Sequence, residues 1–272
     1  MKWIIYSLLM TFSTNLCAQK IAEKVIPIAH AHNDYNKRKP LANALKYGFM
    51  SMEIDVFAHK NELKLAHVGL FLNVRKTIEE VYFDPLAKIL ENKAWVYSNY
   101  EEPLELMIDF KTNSKETLSL LLKSIEPYKE FFTYYTNNEI HERPLKLVIS
   151  GSGFQYHQVA DLDSIFVFLD GSVNNCEKSF PDELLARGSA NYKRHFTWKG
   201  KKEMPEEEFE KLTNYIAKNK ACDKKIRFYS MKHRKAIWKV FLDQGAGWIN
   251  IDKKKKFANF YHNEYLKPNQ TQ

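Results

Sequence analysis

The sequence predicts one closed barrel of eight parallel strands with helices between them, a (β/α)8 or TIM-barrel fold. Three observations predict it. Short apolar runs rich in β-formers alternate with helix-like stretches along the chain, the pattern of a parallel sheet built from βαβ units. Eight such runs occur. The 272 residues, less an N-terminal leader, come to about the 250 residues typical of such barrels. A doubly wound open sheet is the alternative topology. Nine Pro and nine Gly are scattered, with no linker or repeat dividing the chain. The composition of 44% hydrophobic, 14% aromatic and 27% charged residues is that of a globular protein and excludes disordered and fibrous classes.

Residues 1–18 read as a secretory signal. Lys2 supplies the positive start, Trp3 to Phe12 is apolar apart from Ser7 and Thr11, and Cys17-Ala18 precedes Gln19. The order predicts cleavage after Ala18 and export to a periplasmic or extracellular compartment. Leu16 before Cys17 argues against lipidation, which favours a small residue there. The mature domain is 19–272, and no apolar run long enough to span a bilayer occurs within it. Its two cysteines, Cys176 and Cys222, lack zinc-site spacing and read as structural or free, not catalytic.

The predicted strands are 25–29, 50–57, 104–110, 145–149, 165–169, 195–198, 226–229 and 248–251. Asn113 stands three residues before Glu116, a capping-box spacing that opens a helix over 116–125. Pro205 precedes the acidic stretch 206–219 as a helix-starting Pro does. The segment 233–242 has apolar residues at helical spacing and stops at Gly245. Residues 92–103 and the tail from Pro268 read as loops, and Lys253 to Lys256 as a solvated charge run.

Chemistry concentrates in residues 28–67. His30 closes the first strand, at the end of a barrel strand where catalytic groups sit. Glu53 and Asp55 are two apart on an extended run and project from one face. Asp109 and Lys111 share a face at the end of the third strand, and His67 follows a hairpin-like return through Lys60-Asn61-Glu62. Apolar strands rarely carry such acids unless a cation or a basic partner compensates their charge. Three carboxylates at neighbouring strand ends suit a hard divalent cation, Mg²⁺ or Ca²⁺. Imidazoles suit proton transfer at neutral pH, and a Lys suits a phosphate oxygen. The set points to phosphoester chemistry. His59, His141, His157, His195, His233 and His262 read as structural. Ser150-Gly151-Ser152-Gly153 reads as a βα turn, and Asp170, Trp198 and Asp252 sit at later strand ends, where they could line the mouth, without assigned roles.

His30-Ala31-His32-Asn33-Asp34-Tyr35, Glu53-Ile54-Asp55, Leu65-Ala66-His67 and Asp109-Phe110-Lys111 together resemble the glycerophosphodiester phosphodiesterase and phosphatidylinositol-specific phospholipase C superfamily. The start is similar to its altered inheritance of mitochondria branch, and Asp109-Phe110-Lys111 is similar to a motif of sphingomyelinase D. The resemblance extends over residues 25–111. It implies a metal-dependent phosphoric diester hydrolase acting on a glycerophosphodiester or phospholipid-type substrate. His30 would be base or nucleophile, with His32 as the alternative, and His67 the acid. Glu53, Asp55 and Asp109 would be metal ligands, with Lys111 and Asn33 on the substrate. The chain departs from glycerophosphodiesterases in carrying Ala31-His32 where they have Arg-Gly after the first His. It also has Val68 where they commonly have Asp. A non-catalytic barrel that binds phosphorylated ligands is the rival reading, which a second His disfavours. The formal charge of +8 allows peripheral contact with an anionic membrane surface. Nucleic acid is not an expected partner, because no interleaved basic and aromatic motif occurs.

Overall fold

The computed structural model describes residues 20–151, 153–174 and 181–267. The predicted leader, the tail from Pro268 and Cys176 lie outside them. Eleven strands occur among the described residues: β1 (Ile26–Ala31), β2 (Phe49–His59), β3 (Glu62–Leu65), β4 (Leu104–Phe110), β5 (Tyr134–Thr136), β6 (Glu139–His141), β7 (Leu145–Gly151), β8 (Val167–Ser172), β9 (Leu185–Asn191), β10 (Lys225–Tyr229) and β11 (Trp248–Ile251). Neighbours run β1-β11-β10-β9-β8-β7-β4-β2-β3, and a further β1–β2 pairing closes the circle. Eight of these strands pair in parallel, and β3 returns antiparallel on β2. The fold is a single (β/α)8 barrel.

The helices are α1 (Ala42–Lys46), α2 (Asp84–Leu90), α3 (Ser114–Ile125), α4 (Tyr192–His195), α5 (Glu206–Ala221), α6 (Lys235–Asp243) and α7 (Lys254–Phe260). Asn113 caps α3 as its spacing predicts: its side chain accepts from the backbone N–H groups of Lys115 and Glu116, satisfying two donors that a helix start leaves free. Pro205, predicted at the first helical position, is instead the N-cap of α5, one residue before the helix begins. Cys222 follows α5 and is disulfide-bonded, so it is not a nucleophile.

Period-two alternation on β2 sorts its side chains. Met50, Met52, Ile54 and Val56 are buried in the apolar core outside the barrel wall, while Ser51, Glu53 and Asp55 share the inner face. Barrel interiors are usually packed with branched apolar residues, but this one is polar. Fully buried Arg187 pairs with Glu105 across it and stacks on Trp248, 5.1 Å from the ring.

The sixth barrel strand differs from expectation. It is β9, not 195–198, which instead spans the end of α4 and the loop behind it. Phe196 and Trp198 are buried as apolar residues should be, but they pack in an aromatic cluster in which Phe196 meets Phe228 at 5.2 Å. The true strand reads Leu-Ala-Arg-Gly-Ser-Ala-Asn, whose polar and small residues face a polar interior and so carry no apolar signature.

Candidate active site

The site is built at the C-terminal ends of the barrel strands. There β1, β2 and β4 run side by side, with Asp55 directly opposite Asp109 and His30 opposite Ser51. One carboxylate oxygen from each of Glu53, Asp55 and Asp109 lies within 4.8 Å of the others. Asp55 is fully buried. Its Oδ2 accepts from the Tyr35 hydroxyl at 2.8 Å and from His67 Nδ1 at 2.8 Å, and lies 3.1 Å from Lys111 Nζ. Its Oδ1 is buried with no hydrogen-bond partner. An ionised oxygen in that position is costly unless a cation meets it. The donors are all hard carboxylate oxygens, so the residues present fit Mg²⁺ or Ca²⁺.

Local charges set the state of Glu53 and Asp109. Burial alone would push the Glu53 carboxyl up, but the Arg227 guanidinium at 3.1 Å and His30 beside it hold it well below the usual carboxylate range. Asp109 is raised, chiefly by burial and by its acidic neighbours, against the pull of Lys111 at 2.8 Å. Lys111 is raised in turn: burial works against its charge, but the Asp109 and Asp55 carboxylates outweigh it. Gly151, at the end of β7, has φ +91°, and a Cβ there would collide with Asp109 Oδ1. The turn read from Ser150-Gly151 thus leaves room for a site carboxylate.

The two candidates for the first imidazole have different surroundings. β1 continues to Ala31, two residues past its predicted end, which leaves His30 inside the wall. His30 is fully buried, with Nδ1 2.7 Å from Ser51 Oγ and Nε2 3.5 Å from Glu53. Burial, helped by Arg227, lowers its pKa well below the ordinary 6.5. His32 follows the strand end and lines a cavity of about 630 Å³ with Glu53, Asp109, Asp170, Arg194 and Arg227. Its Nδ1 lies 2.8 Å from Asp252 Oδ1, and its Nε2 3.8 Å from Glu53. A carboxylate only accepts, so Nδ1 carries a proton, and Nε2 faces the cavity. Asp55 orients His67 in the same way, through Nδ1 at 2.8 Å, and the His67 side chain is 61% exposed. Asn33 takes a left-handed conformation, φ 47°, before the turn Asp34–Asn36.

Three contributions had no site role assigned from the sequence, although Asp170 lines the cavity as its strand-end position suggests. His233, read as structural, lies 2.5 Å from Asp252, so Asp252 joins two histidines and sits well below the usual carboxylate range through those hydrogen bonds. Arg227 joins Glu53, Asn250 and Asp170 inside the barrel. Asp170 accepts from Ser150 and Ser189. A charged residue inside an otherwise β-forming run, as in Lys225-Ile226-Arg227-Phe228-Tyr229, is the signal that could have found Arg227.

His30 makes a separable contribution to stability. Its folded pKa lies below its unfolded value, so the unfolded state binds the extra proton first. The resulting penalty is absent above pH 6.5 and grows as pH falls from there toward the folded pKa. Thermal melts in a chelator should therefore lose stability between pH 6.5 and 5 more steeply for the native chain than for His30→Asn. Parallel profiles would mean that His30 is not held neutral by burial.

This fold and this arrangement of strand-end groups define a barrel protein of the phosphodiesterase type. Within that class, the chain belongs to the AIM6-like phosphodiesterase domain family, whose model matches residues 19–170. The matched span holds the three acids, His30, His32 and His67, but ends before Arg227, His233 and Asp252. Among named relatives, the altered inheritance of mitochondria protein 6 of Eremothecium gossypii is 27% identical over 84% of this chain and 68% of its own length. That of Kluyveromyces lactis is 26% identical over 89% and 74%. The Saccharomyces cerevisiae YJM789 protein is 32% identical over 49% and 39%. No solved structure matches significantly.

Proposed function

We propose that the protein is a divalent-cation-dependent phosphoric diester hydrolase for glycerophosphodiesters or phospholipid-type diesters. The observation that carries this reading is the pair of imidazoles, His32 and His67. Each is fixed through Nδ1 by a carboxylate, and they flank an acid cluster with an orphaned buried oxygen. Glu53, Asp55 and Asp109 would hold one Mg²⁺ or Ca²⁺, which when bound offers positive charge to non-bridging phosphate oxygens. His32 Nε2 takes the proton of the attacking hydroxyl as the new P–O bond forms. Protonated His67 gives its proton to the leaving oxygen as the old P–O bond breaks. We assign the first role to His32 and not to His30, because a base must reach the substrate and His30 is sealed behind Ser51 and Glu53. His30 instead positions Glu53. Lys111, Arg194 and Arg227 supply cationic contacts for the diester.

The test is a panel of glycerol, inositol, choline and ethanolamine phosphodiesters, followed by ³¹P NMR with Mg²⁺, with Ca²⁺ and with chelator. Turnover of at least one member, abolished by chelator, is expected. A zero rate throughout would favour a barrel that only binds phosphorylated ligands.

A further inference from the structure

The β2–β3 hairpin rises past the barrel wall. The last β2–β4 pair is Val56 with Phe110, yet β2 runs on to His59, which pairs with Glu62 of β3. Behind β3 the chain passes through His67 into a loop, residues 68–74, beside the barrel mouth. Within it Val68, Leu70, Phe71 and Val74 are 52, 62, 77 and 82% exposed. The other large exposed hydrophobics among the described residues, Ile140, Leu162, Phe209 and Tyr229, are scattered and at most 41% exposed. Single exposed apolar residues need no explanation, but four within one short loop do.

The loop is held in this outward pose. Asn73 Oδ1 lies 2.9 Å from His59 Nε2, and Gly69 packs on the Phe57 ring. Phe71 adopts φ 58°, ψ 34°, a left-handed conformation unfavourable for a bulky residue. That cost is not offset by burial of the ring within this chain, where Phe71 is 77% exposed.

The loop lies beside a cationic groove. A groove of about 470 Å³ beside the loop is lined by Tyr35, Lys37, Arg38, Val74, Arg75 and Lys76, with Glu80 as its acid. The side chain of Glu80 is already engaged by the Thr77 backbone N–H at 2.7 Å. Apolar residues at an apex with cations behind them match an anionic bilayer, with acyl chains below and phosphates above. A second copy fits worse, because a two-fold contact would set one cationic groove against the other.

We propose that the 68–74 loop enters the interfacial layer of an anionic lipid bilayer, with Arg38, Arg75 and Lys76 on its headgroup phosphates, while Lys37 stays paired with Asp252 at 3.5 Å. The barrel mouth would then face phosphodiesters at the membrane surface. The proposal rests on the hydrolase reading only for its substrate, because docking itself needs no chemistry.

The experiment compares full-length chains in sedimentation with vesicles of phosphatidylcholine mixed with phosphatidylserine, and of phosphatidylcholine alone. The apolar Trp3 to Phe12 segment is common to every arm, so only differences between variants count. Leu70→Ser/Phe71→Ser should weaken partitioning into mixed vesicles by roughly tenfold for each side chain. Arg75→Glu/Lys76→Glu should weaken it by about fivefold or more per charge, with the difference shrinking at high salt and on phosphatidylcholine alone. Turnover of a water-soluble phosphodiester by Leu70→Ser/Phe71→Ser should match the native chain. Equal vesicle binding by native and variant chains would overturn the docking proposal whatever the turnover. So would a native dimer that the apolar substitutions dissolve, seen by sedimentation equilibrium. Loop-dependent binding without turnover of any diester would instead sink the hydrolase reading and leave docking standing.

Discussion

Asp55→Asn is expected to abolish specific Mg²⁺ or Ca²⁺ binding and, with it, phosphodiester turnover, while the barrel stays folded. The substitution changes charge and almost no volume. In the native chain Asp55 Oδ2 already serves Tyr35, His67 and Lys111, while Oδ1 has no partner. An amide can keep the Oδ2 contacts through its carbonyl, but it turns the orphaned oxygen into an NH₂ donor that repels a cation. Loss of an outer-shell partner alone typically costs about 10–100-fold in metal affinity, so loss of a central carboxylate should exceed that. Lys111 would also lose one of its two counterions, leaving Asp109 to compensate it. Calorimetric titration with each cation measures the first effect, and circular dichroism checks the fold. Unchanged affinity would remove Glu53, Asp55 and Asp109 from any metal shell.

The acids were legible because their placement is local. Two residues of separation on one strand fixes Glu53 and Asp55 on one face, and a short stretch of alternation places Asp109 beside them across a parallel pair. The choice between His30 and His32 was not local. It depends on where β1 stops, and β1 is drawn out to Ala31 by pairing with Ile251 of the last strand. Asp252 is likewise invisible as a partner, since it lies 220 residues from His32. β9 was hidden for a packing reason. Arg187 needs Glu105 from across the barrel to be tolerable inside, and Gly188 is required because a Cβ would collide with Asn219 Oδ1. Neither fact shows in a window of neighbouring residues. Apolar periodicity finds walls whose outer face is apolar, and it loses strands whose identity lies in a charged interior.

His32→Ala and His67→Ala should each lower hydrolysis of an unactivated phosphodiester by about 10²–10⁴-fold, the usual worth of a general acid or base. The two losses should differ in kind. Departure of an alkoxide needs a proton, whereas nitrophenolate leaves without one. A nitrophenyl diester should therefore rescue His67→Ala far more than His32→Ala, which lacks the group that activates the nucleophile. Asp252→Asn should reproduce part of the His32 loss, roughly 10–100-fold, because an amide can donate to Nδ1 and reverse the tautomer that leaves Nε2 free. His30→Ala should act differently again. It removes a contact to Glu53, so its deficit should shrink as the divalent cation is raised, whereas that of His32→Ala should not. An inactive His30→Ala beside a near-native His32→Ala, at saturating cation, would return the base to the buried position. It would also require the barrel mouth to open further in the substrate complex, since fully buried His30 could not otherwise meet a diester.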